Sequence, residues 1–256
     1  MKILLLIICG GQDGGDGGRL YRKMFEMQKQ YWFSHPHIDT YTVQMNPELE
    51  QDIIVNDNNN ILVKGNENLL NVLYKTTKSL ELLTDCGKSN KYDYIVRSNV
   101  STVIDFDRLY DYCKLKKTNL YTGGRMLYLE WTDKECGIND ETHFGTPFVQ
   151  GCFIVMSMDI VKHLLQNLNK LDFTIVDDVS IAIFIKKYTS INDNNIRENM
   201  PSFCLDNMRA GKTKLKDYTN REFVAYRNHR EPHFSWGDRE ADIEEIKNQI
   251  KCIYNI

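Results

Sequence analysis

The sequence has no excess of basic residues and no run of them: 32 lysines and arginines stand against 35 acids, a formal net charge of −3. That removes the broad positive field on which sequence-independent nucleic-acid binding depends. It also has no C-x-x-C pair. The seven cysteines (Cys9, Cys86, Cys113, Cys136, Cys152, Cys204, Cys252) are odd in number and scattered, which argues against a zinc or dithiol framework. They read as small apolar side chains kept reduced. No apolar run approaches the roughly 20 residues that a membrane-spanning helix needs. The opening MKILLLIIC looks like a secretory leader, but its apolar run has the length of a core strand and glycines and acids follow it. The expectation is a soluble cytoplasmic protein with no membrane span and no nucleic-acid partner.

The two common nucleotide fingerprints are missing as well. The glycines of CGGQDGGDGG do not fall in G-x-G-x-x-G register with the helix that follows, and no acid stands at the matching distance on a second strand. Gly211-Lys212-Thr213 lacks the upstream glycine and the preceding strand of a phosphate-binding loop.

What is present is an alternation of strand and helix patterns. Lys2–Ile8 is a continuous apolar run, as in a strand buried on both faces. Cys9–Gly18 is too rich in glycine for an element interior and reads as a loop. Leu20–Trp32 then carries Leu20, Met24, Met27 and Tyr31 at helical spacing. Further strands are expected at Tyr41–Met45, Ile53–Val55, Ile61–Val63, Tyr92–Val96, Leu120–Tyr121, Met126–Leu129 and Phe148–Met156. Helices are expected at Leu69–Leu83, Asp107–Leu115, Ser157–Leu171 and Ala241–Tyr254. This order predicts one α/β domain over residues 1–256, with a mostly parallel central sheet flanked by helices.

Three stretches carry candidate chemistry. Cys9, Gly10, Gly11 and Gln12 follow the first strand, at the carboxyl edge where α/β sheets bind ligands, so the loop either contacts a nucleotide or merely turns. In YDYIVRSNVSTVIDFDRL, Arg97-Ser98-Asn99-Val100-Ser101 reads as a polar turn emerging at the same edge. An arginine with neutral hydrogen-bonding neighbours can hold a diphosphate directly. The Asp105-Phe106-Asp107 pair just beyond reads as structural, Asp105 capping a helix and Asp107 facing its positive end. In FTIVDDVSIAIFIKKY, Asp177 and Asp178 stand at a helix start. One acid suffices to stabilise that end, and the repulsion between two has a reason if one is a general base or a metal ligand.

Gln150-Gly151-Cys152 interrupts an apolar stretch with a small residue, which suits either a close backbone approach to a ligand or tight packing. Trp131 and His143 lie in a long irregular stretch, where the indole either stacks on a sugar or packs on the surface. His229 and His233 are four apart with Pro232 between them, which disfavours a regular helix aligning them on a metal. His35-Pro36-His37 reads as a turn.

In their order along the chain these segments resemble glycosyltransferases of the GT-A nucleotide-sugar fold, in particular the galactosyltransferase-like branch and related enzymes of large DNA viruses. LLIICGG, YDYIVRSNVSTVIDFDRLYDYC, the block from YTGGR to FVQGCFIVMSMDIVKHLL, DDVSIAIFIKKY and the closing FVAYRNH carry the likeness. The resemblance implies a UDP-sugar donor, a hydroxyl acceptor and, because no second nucleophile stands out, inversion. By position it makes Asp178 the base and Asp177 its neighbour. Cys9, Gly10, Gly11, Gln12, Arg97, Ser98, Asn99, Ser101, Gly151 and Arg227 then touch the donor, and Trp131 and His143 the acceptor. Asn99 and Ser101 fall where the family's acidic metal motif stands. A divalent metal, Mn or Mg, would have only Asn99 or Asp177 to draw on, and Arg97 and Arg227 are the alternative counter-charges. Two other readings are a carbohydrate- or nucleotide-binding protein without turnover and a sugar nucleotidyltransferase, the latter opposed by the missing triphosphate loop.

Overall fold

In the computed structural model, the residues described are 1–10, 15–85, 91–115, 118–206, 221–228 and 239–255. The apolar opening is β1 (Ile3–Ile8), every residue of it buried. Around it lie β2 (Ile38–Asn46), β3 (Ile53–Val55), β4 (Asn60–Lys64), β5 (Tyr94–Asn99), β7 (Tyr121–Gly123) and β10 (Phe153–Ser157), in the order β3-β4-β2-β1-β5-β10-β7. The central strands β4, β2, β1 and β5 are mutually parallel, while β3 and β10 run against their neighbours. The sheet is thus mostly parallel, as expected, with its reversals toward the edges.

Why the first strand is apolar throughout is visible in its packing. Leu4, Leu6 and Ile8 point into one core with Leu73, Leu80, Leu164 and Phe184. Ile3, Leu5 and Ile7 point into another with Met24, Leu109, Ile246 and Ile250. Successive side chains leave a strand on opposite faces, so a strand covered on both sides has no polar positions to spare. The first layer of helices comprises α2 (Asn71–Thr84), α4 (Met158–Leu165) and α5 (Asp177–Tyr188). The second comprises α1 (Gly15–Gln28), α3 (Phe106–Lys114) and α7 (Arg239–Tyr254), and α6 (Asp193–Glu198) contacts β7. Burying one leucine-sized side chain in such a layer contributes about 2 kcal/mol.

Two small sheets complete the described structure. β6 (Thr102–Ile104) pairs with β12 (Ala225–Asn228), which pairs with β11 (Phe203–Asp206), and β8 (Met126–Tyr128) pairs with β9 (Pro147–Val149). The first of these brings a late segment of the chain beside the end of β5.

Three local expectations are corrected. Gly15–Gly18 begins α1 and is not part of the loop; the roughly 1 kcal/mol cost of each helical glycine is borne by a helix whose later turns bury Leu20 and Met24. Arg97, Ser98 and Asn99 continue β5 and do not turn. The reason is pairing on both sides: Arg97 stands opposite Leu6 of β1 and Ile154 of β10, and β1 extends to Ile8 opposite Asn99. Phe148–Met156 is not one strand but the ends of β9 and β10, broken at Gln150–Cys152. His35–His37 does turn, and Asp105 does cap α3, accepting from the Arg108 amide at 3.2 Å. Gly11, Gln12, His229 and His233 lie outside the described residues.

Candidate active site

The carboxyl ends of β1 and β5 and the Gln150–Cys152 turn meet at one edge of the sheet, because β10 enters antiparallel to β5 from that turn. Arg97 is the residue that joins them. Its side chain is buried, 6% exposed, and its Nη2 lies 2.8 Å from Asp177 Oδ2. Gly151 faces the guanidinium so closely that a β-carbon there would stand 2.8 Å from Nη1 and 3.2 Å from Cζ. A glycine is required by that approach, not by the φ angle of a turn. Although buried, Arg97 Nε has no hydrogen-bond partner. A planar guanidinium has five N–H donors, and a buried one left unmatched is costly unless something else satisfies it.

Behind Arg97 stands the first turn of α5. Asp177 is 2% exposed and neutralised by Arg97. Asp178, half-buried, accepts from the Gly151 amide at 2.8 Å and from the Val179 amide at 2.9 Å, one on each oxygen. Burial, and next the negative charge of Asp177, push its carboxyl up to about 6, against the opposing pull of the Gly151 amide and Arg97. Adjacent acids have thus been made unequal: Asp177 faces the Arg97 guanidinium, while the Asp178 carboxyl is raised toward neutrality, the condition for a proton acceptor. Tyr121 lies buried beneath, its hydroxyl accepting from the Val149 amide at 3.2 Å. Burial, with a smaller contribution from the two acids, holds its phenol up.

On the other side of Arg97 a cavity of about 390 Å³ opens, with Gly10, Glu67, Arg97, Asn99 and Ser101 among its walls. Four of the sequence-derived candidates, from two distant segments, therefore line one hollow. Asn99 is fixed: its Oδ1 accepts from Arg227 Nη1 at 2.8 Å, Thr102 Oγ1 at 3.0 Å and Ser101 Oγ at 3.2 Å. Arg227 reaches it from β12, paired opposite Thr102.

Other candidates have structural contacts. Ser98 is fully buried and donates to the Cys152 carbonyl at 3.0 Å, tying β5 to the Gln150–Cys152 turn. The Cys9 side chain is buried, and its carbonyl accepts from Lys75 Nζ at 2.7 Å. Trp131 is exposed and meets Phe148 edge-on, ring centroids 6.0 Å apart. Phe148 belongs to the small core that includes Val176 and Val179, which flank the acids. His143 is half-buried in the same stretch.

These donors do not fit a divalent ion, which asks for several free oxygens, carboxylates above all. The Asn99 oxygen already accepts three hydrogen bonds, and Asp177 Oδ2, although without a hydrogen-bond partner, lies 2.8 Å from the Arg97 guanidinium, whose charge opposes a cation there. Among the described residues no three His, Cys, Asp or Glu side chains converge. The positive charge at this edge is carried by Arg97 and Arg227.

Sequence reasoning missed Glu67 and Lys75. Lys75 is fully buried and donates to Glu67 Oε1 at 2.5 Å. The signal was a lysine on the apolar face of α2, beside Val72 and Leu80, where a charge must be matched.

No protein-family profile matches the sequence, and no curated protein matches it. Among solved structures, the chain is similar over 96% of its length to a glycosyltransferase involved in the glycosylation of the major capsid of PBCV-1, all of which is covered (TM-score 0.47, 9% identity). It is similar over the same share to the galactosyltransferase LgtC in complex with donor and acceptor sugar analogues, 96% of which is covered (TM-score 0.39, 9% identity). At such values the likeness is one of outline. What the site can do rests on its own residues.

Proposed function

We propose that this chain is a nucleotide-sugar-dependent glycosyltransferase of the GT-A type, moving a sugar from a UDP-sugar donor to a hydroxyl acceptor with inversion. The observation that carries the reading is the position of Arg97: a nearly buried arginine that lines a cavity and is braced from behind by the Asp177–Asp178 turn.

In this reading the donor diphosphate lies in the cavity against Arg97, Asn99 and Ser101, with Arg227 behind Asn99. The sugar projects toward Asp178. Asp178 takes the proton of the acceptor hydroxyl while that oxygen forms a bond to the anomeric carbon, and the bond from that carbon to the phosphate oxygen breaks. The electron pair leaves on the nucleoside diphosphate. Negative charge grows on the leaving oxygen, so guanidinium groups fixed in advance stabilise the transition state more than the bound donor. Gly151 serves by having no side chain, and its amide aligns Asp178. Trp131 offers an exposed aromatic face for the acceptor, with His143 near it in sequence. A metal enters no step.

The test is release of nucleoside diphosphate from a panel of nucleotide sugars with and without glycan acceptors. Donor-dependent release that Asp178→Asn abolishes, while donor still protects the variant from heat, supports the reading. Ligand at a hundred times its Kd stabilises by about 2.7 kcal/mol, enough to see. Donor binding without turnover, equal in both proteins, would leave a binding protein instead.

A further inference from the structure

Two glutamines interrupt helix faces that are otherwise apolar. Gln28, one turn after Met24 in α1, is 3% exposed, and Gln249, between Ile246 and Ile250 in α7, is fully buried. A side-chain amide has two donors and two acceptor lone pairs, and burying it is unfavourable unless they are matched. Leucine or methionine would fill either position without that penalty, so packing alone gives no reason for an amide at either one.

Their hydrogen bonds lead to one turn. Val100 and Ser101 join β5 to β6, and with Asn99 they line the cavity. The Val100 carbonyl accepts from Gln28 Nε2 at 2.5 Å, the same nitrogen also lying 3.4 Å from the Met24 carbonyl of its own helix. The Ser101 carbonyl accepts from the Asn228 amide at 2.9 Å and from Asn228 Nδ2 at 3.4 Å. Asn228, itself buried, forms a reciprocal pair with Gln249, each side-chain nitrogen donating to the other's oxygen at 2.8 Å. α1 and α7, which pack against each other, thus hold both carbonyls of a turn that walls the cavity. Asn228 also follows Arg227 in β12, so the grip on it sets the strand from which Arg227 reaches Asn99.

Resting on the donor reading above, we infer that Gln28, Asn228 and Gln249 are positioning residues of the donor site: they fix the Val100–Ser101 turn, and with it the Asn99 and Arg227 side chains, before ligand arrives. None of the three lines the cavity. They act through the backbone of residues that do. A turn left free loses conformational freedom when it closes on a ligand, and that loss is subtracted from affinity. Amides in the core remove it in advance, and in a low-dielectric layer each such hydrogen bond is stronger than at the surface.

The test measures binding of UDP and of inorganic pyrophosphate by calorimetry, and stability by urea denaturation, in the unaltered protein and three variants. Gln28→Met removes the donor to Val100 at nearly constant volume. Asn228→Leu/Gln249→Leu removes both members of the reciprocal pair, so that neither amide is left unmatched and a folded protein remains for the measurement should Gln28→Met fail to fold. Ile253→Val, also buried in α7, trims packing without touching an amide. The expected result is a roughly three- to tenfold loss of affinity in the amide variants, carried by a less favourable binding entropy, and a change within about twofold in Ile253→Val, whatever the fall in stability. Affinity unchanged in the amide variants, or lowered in all three in step with stability, makes these amides core packing only and leaves the donor reading standing. If the unaltered protein binds neither ligand, the donor reading fails and this inference falls with it.

Discussion

Arg97 and Asp177, eighty residues apart in the chain, meet at 2.8 Å with both side chains nearly sealed from solvent. The pair divides the sheet edge into two chemical compartments, a cavity with guanidinium and amide groups on one side and a perturbed carboxyl on the other. Taking both charges out of water is expensive, and their attraction and the Gly151 contact offset that cost only while both partners are present.

Truncating Arg97 therefore has two consequences. Arg97→Ala is expected to destabilise the fold by about 3–5 kcal/mol, since it strands a buried Asp177 charge. The double variant Arg97→Met/Asp177→Leu is expected to recover much of that loss while remaining unable to hold a diphosphate. Urea denaturation and pyrophosphate binding on the two proteins separate these effects, and equal loss of stability in both would contradict the ion-pair account.

The pH dependence follows from Asp178, whose carboxyl lies at about 6 in the fold against an ordinary 3.8. The folded protein holds this proton more tightly than the unfolded chain. The group's contribution to stability is thus fully present below about pH 4 and is lost as pH rises through about 6. The proposed transfer, by contrast, uses Asp178 as base and needs its ionised form, so kcat/KM is expected to climb through the same range. Asp178→Asn is expected to flatten its part of the stability profile and to lower turnover by roughly a hundred- to ten-thousandfold. An unchanged rising limb in that variant assigns the titration to another group.

Gly151 is a test of crowding. A methyl group placed there meets Arg97 Nη1 at 2.8 Å, a neighbour pinned between β5 and Asp177. Gly151→Ala should cost about 1–3 kcal/mol and weaken nucleotide binding with it. Thermal melts with and without nucleoside diphosphate report both, and a variant that binds normally would show that the guanidinium does not face the ligand.

Metal dependence is predicted from the donor set. Asn99→Asp gives Arg227 a carboxylate partner, so it is expected to weaken pyrophosphate binding and not to confer stimulation by Mn²⁺. In the unaltered protein, EDTA is expected to leave nucleotide affinity within about twofold. A tenfold fall with EDTA would mean that a cation completes the site.

Asp105 provides a control away from the cavity. It caps α3 and is gripped by Arg221 through two contacts of 2.7 Å. Asp105→Ala is expected to lose about 2 kcal/mol of stability with nucleotide affinity unchanged. Burial and the Arg221 pairing make this a structural acid, in keeping with its place before α3.

Much of this was legible from local pattern. The continuous apolar run of β1, the helical spacings of α2 and α5 and the cap at Asp105 follow from side-chain period and backbone hydrogen bonding, which act over a few residues. Arg97, Asn99, Gly10 and Ser101 were readable as candidates because a strand's carboxyl end in an α/β sheet opens onto the ligand edge. Glycine-rich and polar segments were read less well. Gly15–Gly18 and Arg97–Asn99 look like turns by propensity, yet the first belongs to a helix and the second to a strand paired on both sides.

The chain by itself decided which residues are buried and which kinds of element they form. Only the tertiary structure decided what those residues meet. The antiparallel entry of β10 sets Gly151 against Arg97 and delivers its amide to Asp178, and α2 places Lys75 under Glu67 and the Cys9 carbonyl. Propensity and period are properties of neighbours along the backbone. An ion pair or a perturbed carboxyl depends on distance and on exclusion of water, and neither exists until remote segments have packed together.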